Sequence, residues 1–291
     1  MTEKMFIPKD KNLLDPKKDS IFKTIFASAG ESSRIALKSL VTAIIGYEPQ
    51  SVEVINNELS KNAEEAKDIR LDLQCKMEDG SRIDVEIQTC PSGDDLRIRS
   101  LYYGCRMLSS ISMKGRSYRN LPKVYQVMFT DFRLFSDSDD YMRCFHIKSE
   151  DIELTDRLQI IFIQMPLFKE DADEIKNLSE IEKWIIFLRD STDKDKRDLL
   201  NRIIATNKGI KEAGALLMTI SKEEREWAIN ESIYKGQMDR QAEILSAHEK
   251  GKEEGRTEGK IEVARGMKVK NIPIDVISEI TGLATELVAA L

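Results

Sequence analysis

The sequence predicts an α/β domain of about 165 residues followed by a helical, heavily charged extension. Three observations carry this. Apolar residues recur at helical spacing in two segments before Gly46. They alternate at the two-residue period of a strand on either side of Glu78-Asp79-Gly80. Beyond Pro166 the pattern is helical to the end.

The elements follow in order. Asp19 to Ala27 sets Ile21, Phe22, Ile25 and Phe26 on helical spacing, with Asp19 or Ser20 as the cap. A second helix runs from about Ser32 to Ile45 and stops at Gly46. Ser51 to Leu59 reads as a strand. Ile69 to Lys76 and Ser81 to Thr89 both alternate, and the turn residues between them make a β-hairpin. Leu96 to Ile111 is an amphipathic helix, and Lys123 to Phe135 and Leu158 to Pro166 supply further strands. The chain therefore divides into an α/β domain over 1–170, a helical connector over 171–220, a charged helix over 221–266 and a short tail over 267–291.

Composition excludes several classes. With 33% charged and 41% apolar residues in 291, the chain has enough apolar side chain for a core and is not wholly disordered. No apolar run approaches the roughly 20 residues of a membrane span. Met1 to Asp10 lacks the apolar stretch of a secretory signal. Cys75, Cys90, Cys105 and Cys144 are widely spaced, so the expectation is reduced thiols in a cytoplasmic protein with no membrane partner. His146 and His248 are the only histidines, which leaves little for a zinc site or a Ser-His-Asp triad. Carboxylates are plentiful, so any metal chemistry is that of a hard cation with oxygen ligands.

Net charge is −6, but its distribution is uneven. From Leu96 to Thr130 there are seven cations and no acidic residue: Arg97, Arg99, Arg106, Lys114, Arg116, Arg119 and Lys123, with Tyr102, Tyr103, Tyr118 and Tyr125 among them. This is either a positive patch or a solvated helix face followed by a loop. Ser221 to Lys270 instead carries 11 basic and 11 acidic residues, which argues for a solvent-laced helix rather than a DNA-binding arm. Gly251, Gly255 and Gly259 recur along one helix face, each at a cost of about 1 kcal/mol relative to Ala. They signal close approach to a partner helix, hence a homo-oligomer, or a flexible charged linker. Within the tail, Ile274 to Leu291 breaks at Thr281-Gly282 like a helix-turn-helix, but the whole of 267–291, about 25 residues, is too short to fold or read DNA alone.

The chemistry lies in the hairpin. A two-residue Asp-Gly turn would put Asp72 opposite Ile87, on mismatched faces. A three-residue loop with Gly80 in the left-handed position is equally well signalled. It pairs Met77 with Ser81 and therefore Asp72 with Glu86, their Cβ atoms about 5 Å apart. Asp84, Glu86 and Gln88 share one face of the second strand, and Ile83, Val85 and Ile87 the other. Opposed like charges destabilise a hairpin. A divalent cation would remove that penalty; the bland alternative is an exposed face of solvated acids.

Asp72, a glycine turn and Glu86-Ile87-Gln88 resemble the active-site hairpin of the PD-(D/E)XK nuclease superfamily. More narrowly, the chain is similar to the recombination-promoting nuclease (Rpn) family, also called PD-(D/E)XK family transposases. Asp15-Pro16-Lys17-Lys18-Asp19, Ile21-Phe22-Lys23 and Phe26 resemble the family's opening motif. Lys67, Arg70-Leu71-Asp72 and Val85-Glu86-Ile87-Gln88 resemble its core, and Arg99-Ser100-Leu101-Tyr102-Tyr103 its following helix, with Gly115 and Tyr118 in the loop. The glycine-spaced charged helix and Ile280-Thr281-Gly282-Leu283 resemble its ending.

The resemblance implies a restriction-endonuclease-like αβββαβ core with a helical, partly charged C-terminal extension. It implies a DNA endonuclease of little sequence specificity, linked to recombination or mobility. Asp72 and Glu86 would be metal ligands, with the Ile87 carbonyl as a third, for Mg²⁺ first and Mn²⁺ or Ca²⁺ as alternatives. Gln88 departs from the superfamily lysine and brings no positive charge; Lys23 and Lys67 are candidates to supply it from elsewhere. Glu31 and Glu58 are candidates for an additional acid. Arg99, Tyr103, Arg116 and Tyr118 are expected at the DNA. The alternative is a catalytically weak or inactive DNA-binding, self-assembling module on the same fold, which Gln88 favours and the retained Asp72–Glu86 pair disfavours.

Overall fold

The computed structural model describes residues 6–55, 58–59, 69–70, 72–91, 95–169, 175–220, 251–252 and 255–291. Two compact units are present, with the break near residue 235, and each is described by itself.

The first unit is built on a mixed α/β plan. Helices α1 (Asp19–Phe26) and α2 (Glu31–Ile45) lead into β1 (Val52–Val54). A short ladder joins β2 (Glu58–Leu59) to β3 (Ile69–Arg70), and the hairpin β4 (Leu73–Met77) and β5 (Arg82–Gln88) follows. Next come α3 (Leu96–Ser109), β6 (Val124–Thr130), β7 (Met142–Ser149) and β8 (Ile152–Gln164). The main sheet runs in the order β1-β4-β5-β6-β8-β7. Its β4–β5 pair is antiparallel, while β5–β6 and β6–β8 are parallel. A mixed sheet with an antiparallel hairpin feeding a parallel pair through one crossover helix is the restriction-endonuclease-like architecture that the resemblance implied.

Side-chain parity divides the sheet into two faces. Ile83, Val85, Ile87, Tyr125, Val127, Phe129, Ile161 and Ile163 join a cluster with Phe22, Phe26, Leu37 and Leu40 of α1 and α2. The same cluster takes in Trp184, Phe187, Leu200, Ile203, Ile210 and Leu217 from α4 (Glu180–Asp190), α5 (Arg197–Thr206) and α6 (Lys208–Thr219). Residues 175–220, expected as a connector, therefore help to form the main core. The periodicity is helical, as read, but where those apolar faces dock is a tertiary matter.

The opposite face is covered by α3, through Met107, Val124 and Leu158 with Tyr103, Leu108 and Ile160 around them. Gly104 permits this closeness: a Cβ there would lie 2.9 Å from Leu158 Cδ1 and 3.5 Å from Gln126 Cβ.

Local differences from the sequence reading have physical causes. The residue flanking α1 is Lys18, not Asp19 or Ser20, and it makes no side-chain cap; Asp19 instead meets Lys23 one turn on, at 3.0 Å. Strand β1 is shorter than Ser51 to Leu59. Strand β7 carries no apolar signal because most of it is solvent-exposed at the sheet edge, and β8 starts six residues before Leu158 because its N-terminal end is exposed as well.

In the second unit, residues 255–269 form helix α7, and α8 (Ile274–Thr281) and α9 (Thr285–Ala290) pack against it through Ala264, Ile277, Leu283 and Val288. The tail is thus completed by α7. Of the charged segment, 221–250 and 253–254 lie outside the described residues. Gly251, Gly255 and Gly259 have no described atom within 4 Å of where a Cβ would stand.

Candidate active site

The three-residue turn is the one adopted. Gly80 has φ 85°, its N–H donates to the Met77 carbonyl (3.0 Å), and the Met77 N–H donates to the Ser81 carbonyl (2.9 Å). The ladder then runs Lys76↔Arg82, Cys75↔Ile83, Gln74↔Asp84 and Leu73↔Val85. One step further, the Asp72 main-chain N–H donates to Glu86 Oε1 at 3.2 Å. The opposed pair read from the turn is the pair observed.

The acidic face is not a solvated surface. Asp84 is fully buried and Glu86 is only 6% exposed, because α3 lies over them. Gln126, directly across the parallel ladder from Asp84, donates from Nε2 to Asp84 Oδ2 at 2.6 Å. The other oxygen, Oδ1, has no hydrogen-bond partner among the described residues. Burial first, and then the neighbouring Glu86 carboxylate, push the Asp84 carboxyl well above the usual carboxylate range, against the pull of the Gln126 hydrogen bond.

Helix α3 brings Arg99 and Tyr103 to this face. Burial raises the Tyr103 phenol to about 12, with a further push from Glu86 and opposition from the Arg99 charge. The Arg99 Cζ lies 6.0 Å from the Tyr103 ring centroid. Its Nη2 donates to Gln88 Oε1 at 2.9 Å, and Gln88 Nε2 donates to the Cys90 carbonyl at 3.2 Å. Asp72, Asp84, Glu86, Gln88, Arg99 and Tyr103 therefore form one cluster, under the first two turns of α3.

Lys23 is committed to Asp19 on its own helix, while Arg99 is the cation whose field reaches Asp84 and Tyr103. Lys67 lies outside the described residues, and Glu58 stands in the short strand β2. Glu31 opens α2 in an exposed first turn. Tyr118 is 82% exposed in the loop joining α3 to β6. That loop returns to the starts of β5 and β6, where Arg82 N–H donates to the Lys123 carbonyl and Lys123 N–H to Ser81 Oγ. Arg116 and Tyr118 thus sit at the opposite end of the β5–β6 pair from Gln88.

Two features escaped the sequence reading. Gln126 is the single polar residue inside an otherwise apolar strand core, and that interruption was its signal. Lys17, 9% exposed at its side chain, is held by Asp131 (3.3 Å) and Asp15 (3.6 Å), and Asp131 N–H donates to the Gln88 carbonyl (2.9 Å). The opening motif therefore closes on the end of β5 beside the site.

No group of three or more His, Cys, Asp or Glu side chains converges as a metal site among the described residues. The donors at hand are carboxylates and main-chain carbonyls. That all-oxygen set fits a hard cation, and Mg²⁺ typically binds through one or two carboxylates while keeping several waters.

A mixed sheet with paired acids on its central hairpin, a third polar residue two positions on and a basic helix across them defines the nuclease class of this architecture. The chain belongs to the family described as PD-(D/E)XK nuclease family transposase, which it matches over residues 16–247. It matches no curated protein and no solved structure. No helix among the described residues is long and apolar enough to cross a membrane.

Proposed function

We propose that this chain is a divalent-metal-dependent deoxyribonuclease that hydrolyses phosphodiester bonds with little sequence specificity, in the service of DNA recombination or mobility. The observation that carries the reading is the opposition of Asp72 and Glu86 on a face covered by α3. Opposed carboxylates repel each other, and a cation shared between them would relieve that repulsion.

Asp72 and Glu86, with the Ile87 carbonyl, would hold that cation, Mg²⁺ before Mn²⁺ or Ca²⁺. Bound there, it would acidify water and offset the negative charge developing around phosphorus. The chain's own groups do the rest. Tyr103 and α3 restrict water around the acids, and Gln88 and Arg99 present donors at the open end of β5. Arg99, Arg116 and Tyr118 meet phosphates and sugars, which position a duplex without reading its sequence. The thiols and the DNA substrate are consistent with work in the cytoplasm, and the glycine face of the charged segment with a homo-oligomer.

The second reading is a module on this fold that binds DNA but cuts it weakly. Gln88 favours it, since an amide carries no charge. Cleavage of supercoiled plasmid by the purified chain, in Mg²⁺, Mn²⁺, Ca²⁺ and excess chelator, separates the two. Metal-dependent nicking that Asp72→Ala and Glu86→Ala both lose is the expected result. DNA binding without cleavage in any metal would overturn it in favour of the second reading.

A further inference from the structure

We propose that the Arg99 guanidinium is the cation that meets the scissile phosphate, and that Gln88 is the residue that positions it; the assignment rests on the nuclease reading above. The superfamily places a lysine where this chain has Gln88. What Gln88 does instead is visible in its contacts. Its Nε2 is fixed by the Cys90 carbonyl at 3.2 Å, which turns Oε1 toward α3, where it accepts from Arg99 Nη2 at 2.9 Å. The amide is thereby held at both ends.

The holding group is neutral. A carboxylate in this place would cancel the guanidinium charge, whereas an amide oxygen orients it and leaves it positive. One Arg99 donor remains unused in the interior: Nε is buried and has no hydrogen-bond partner among the described residues. A guanidinium has five N–H donors in a planar fork that suits phosphate oxygens. Arg99 is flanked by Tyr103 one turn on, with Cζ 6.0 Å from the ring centroid.

Among the described residues, three other cations are paired with acids. Lys23 pairs with Asp19 at 3.0 Å, Lys17 with Asp131 at 3.3 Å and Arg97 with Asp95 at 2.6 Å. Thus the charge missing from β5 is returned by α3, and the glutamine two residues after Glu86 is the brace that makes the exchange work.

Plasmid cleavage by the full chain tests this, with Arg99→Ala, Arg99→Lys, the double variant Gln88→Lys with Arg99→Ala, and Asp72→Ala. Arg99→Ala should lower kcat by about 10²–10³-fold with little change in KM, the scale for losing one preorganised donor. The double variant should recover about tenfold or more over Arg99→Ala, because one donor on β5 replaces one on α3. Added guanidinium should raise the rate of Arg99→Ala and leave Asp72→Ala inactive. Cutting by Arg99→Ala at the unaltered rate would overturn the assignment. So would a loss that neither the double variant nor guanidinium recovers, since that is the mark of a structural role. If Asp72-dependent cleavage survives without Arg99, only this assignment fails. If the unaltered chain cleaves in no metal, the nuclease reading fails first and takes the assignment with it.

Discussion

Gln126 donates to Asp84 across the parallel pair β5–β6, at 2.6 Å and wholly out of water. Among the described residues Asp84 has no hydrogen-bond partner at Oδ1, so this amide is what keeps a buried carboxyl from being fully orphaned. Gln126→Leu should therefore destabilise the fold by about 1–3 kcal/mol. Adding Asp84→Val to that variant should return much of the loss, because two apolar neighbours leave no unmet polar group. Denaturant unfolding of the single and double variants measures both. A double variant less stable than Gln126→Leu would refute the account.

Glu78 offers a pH-dependent prediction away from the site. Its carboxylate accepts from the Gln50 N–H (3.0 Å) and the Ser51 N–H (3.2 Å), tying the hairpin turn to the start of β1. The Gln50 bond first, then the Ser51 bond, lower its pKa below the ordinary 4.5. A carboxyl lowered on folding adds stability above its unfolded pKa, and that stability is lost as pH falls through the folded one. Glu78→Gln should thus melt below the unaltered chain near neutral pH, and the gap should close as pH drops below 4.5. A gap constant with pH would remove the ionised carboxylate from the explanation.

The thiols should separate by burial. Cys75 is fully enclosed, while Cys90 and Cys105 are exposed. Burial, followed by the Asp84 charge, pushes the Cys75 thiol far up. A thiol reagent near pH 8 should label Cys90 and Cys105 quickly and Cys75 only on unfolding. Rapid labelling of Cys75 in the native chain, read by peptide mass, would show that β4 is not packed as described.

Removal of 221–291 should leave the first unit folded, because among the described residues its apolar cluster is drawn from residues 7–220. A cooperative melt of the shortened chain, with activity per site retained, is expected. Light scattering, with mass divided by the mass of one chain, should show fewer chains per particle than in the whole protein. An unchanged number of chains per particle would exclude the glycine-bearing segment from self-association.

Much of this site was readable because it depends on counting. Three turn residues ending in Gly80 set the register, and parity then puts Asp72 opposite Glu86 and gathers Asp84 and Gln88 beside them. The first two helices and the crossover helix were readable from their apolar stripes. What could not be read depends on long-range packing. No local pattern says that α3 buries the acids, that Arg99 reaches Gln88, or that Lys17 folds back to the end of β5. The β7–β8 hairpin was hidden because its tip is exposed and carries no clean alternation. Lys23 and Lys67 are both candidates for the cation by sequence; Lys23 pairs with Asp19 one turn before it, and Lys67 lies outside the described residues.

On the proposed reading, the separation of Arg99 from Arg116 and Tyr118 would set a minimum length for a duplex that meets both. The two groups stand at opposite ends of a seven-residue strand pair, about 20 Å apart at the usual rise per residue. Stacked base pairs advance about 3.4 Å each, so that span equals about six base pairs, or a little over half a helical turn. A duplex engaging both ends must exceed this length. On the proposed reading, shorter oligonucleotides would meet one end or the other and not both, so cleavage would fall off below this length.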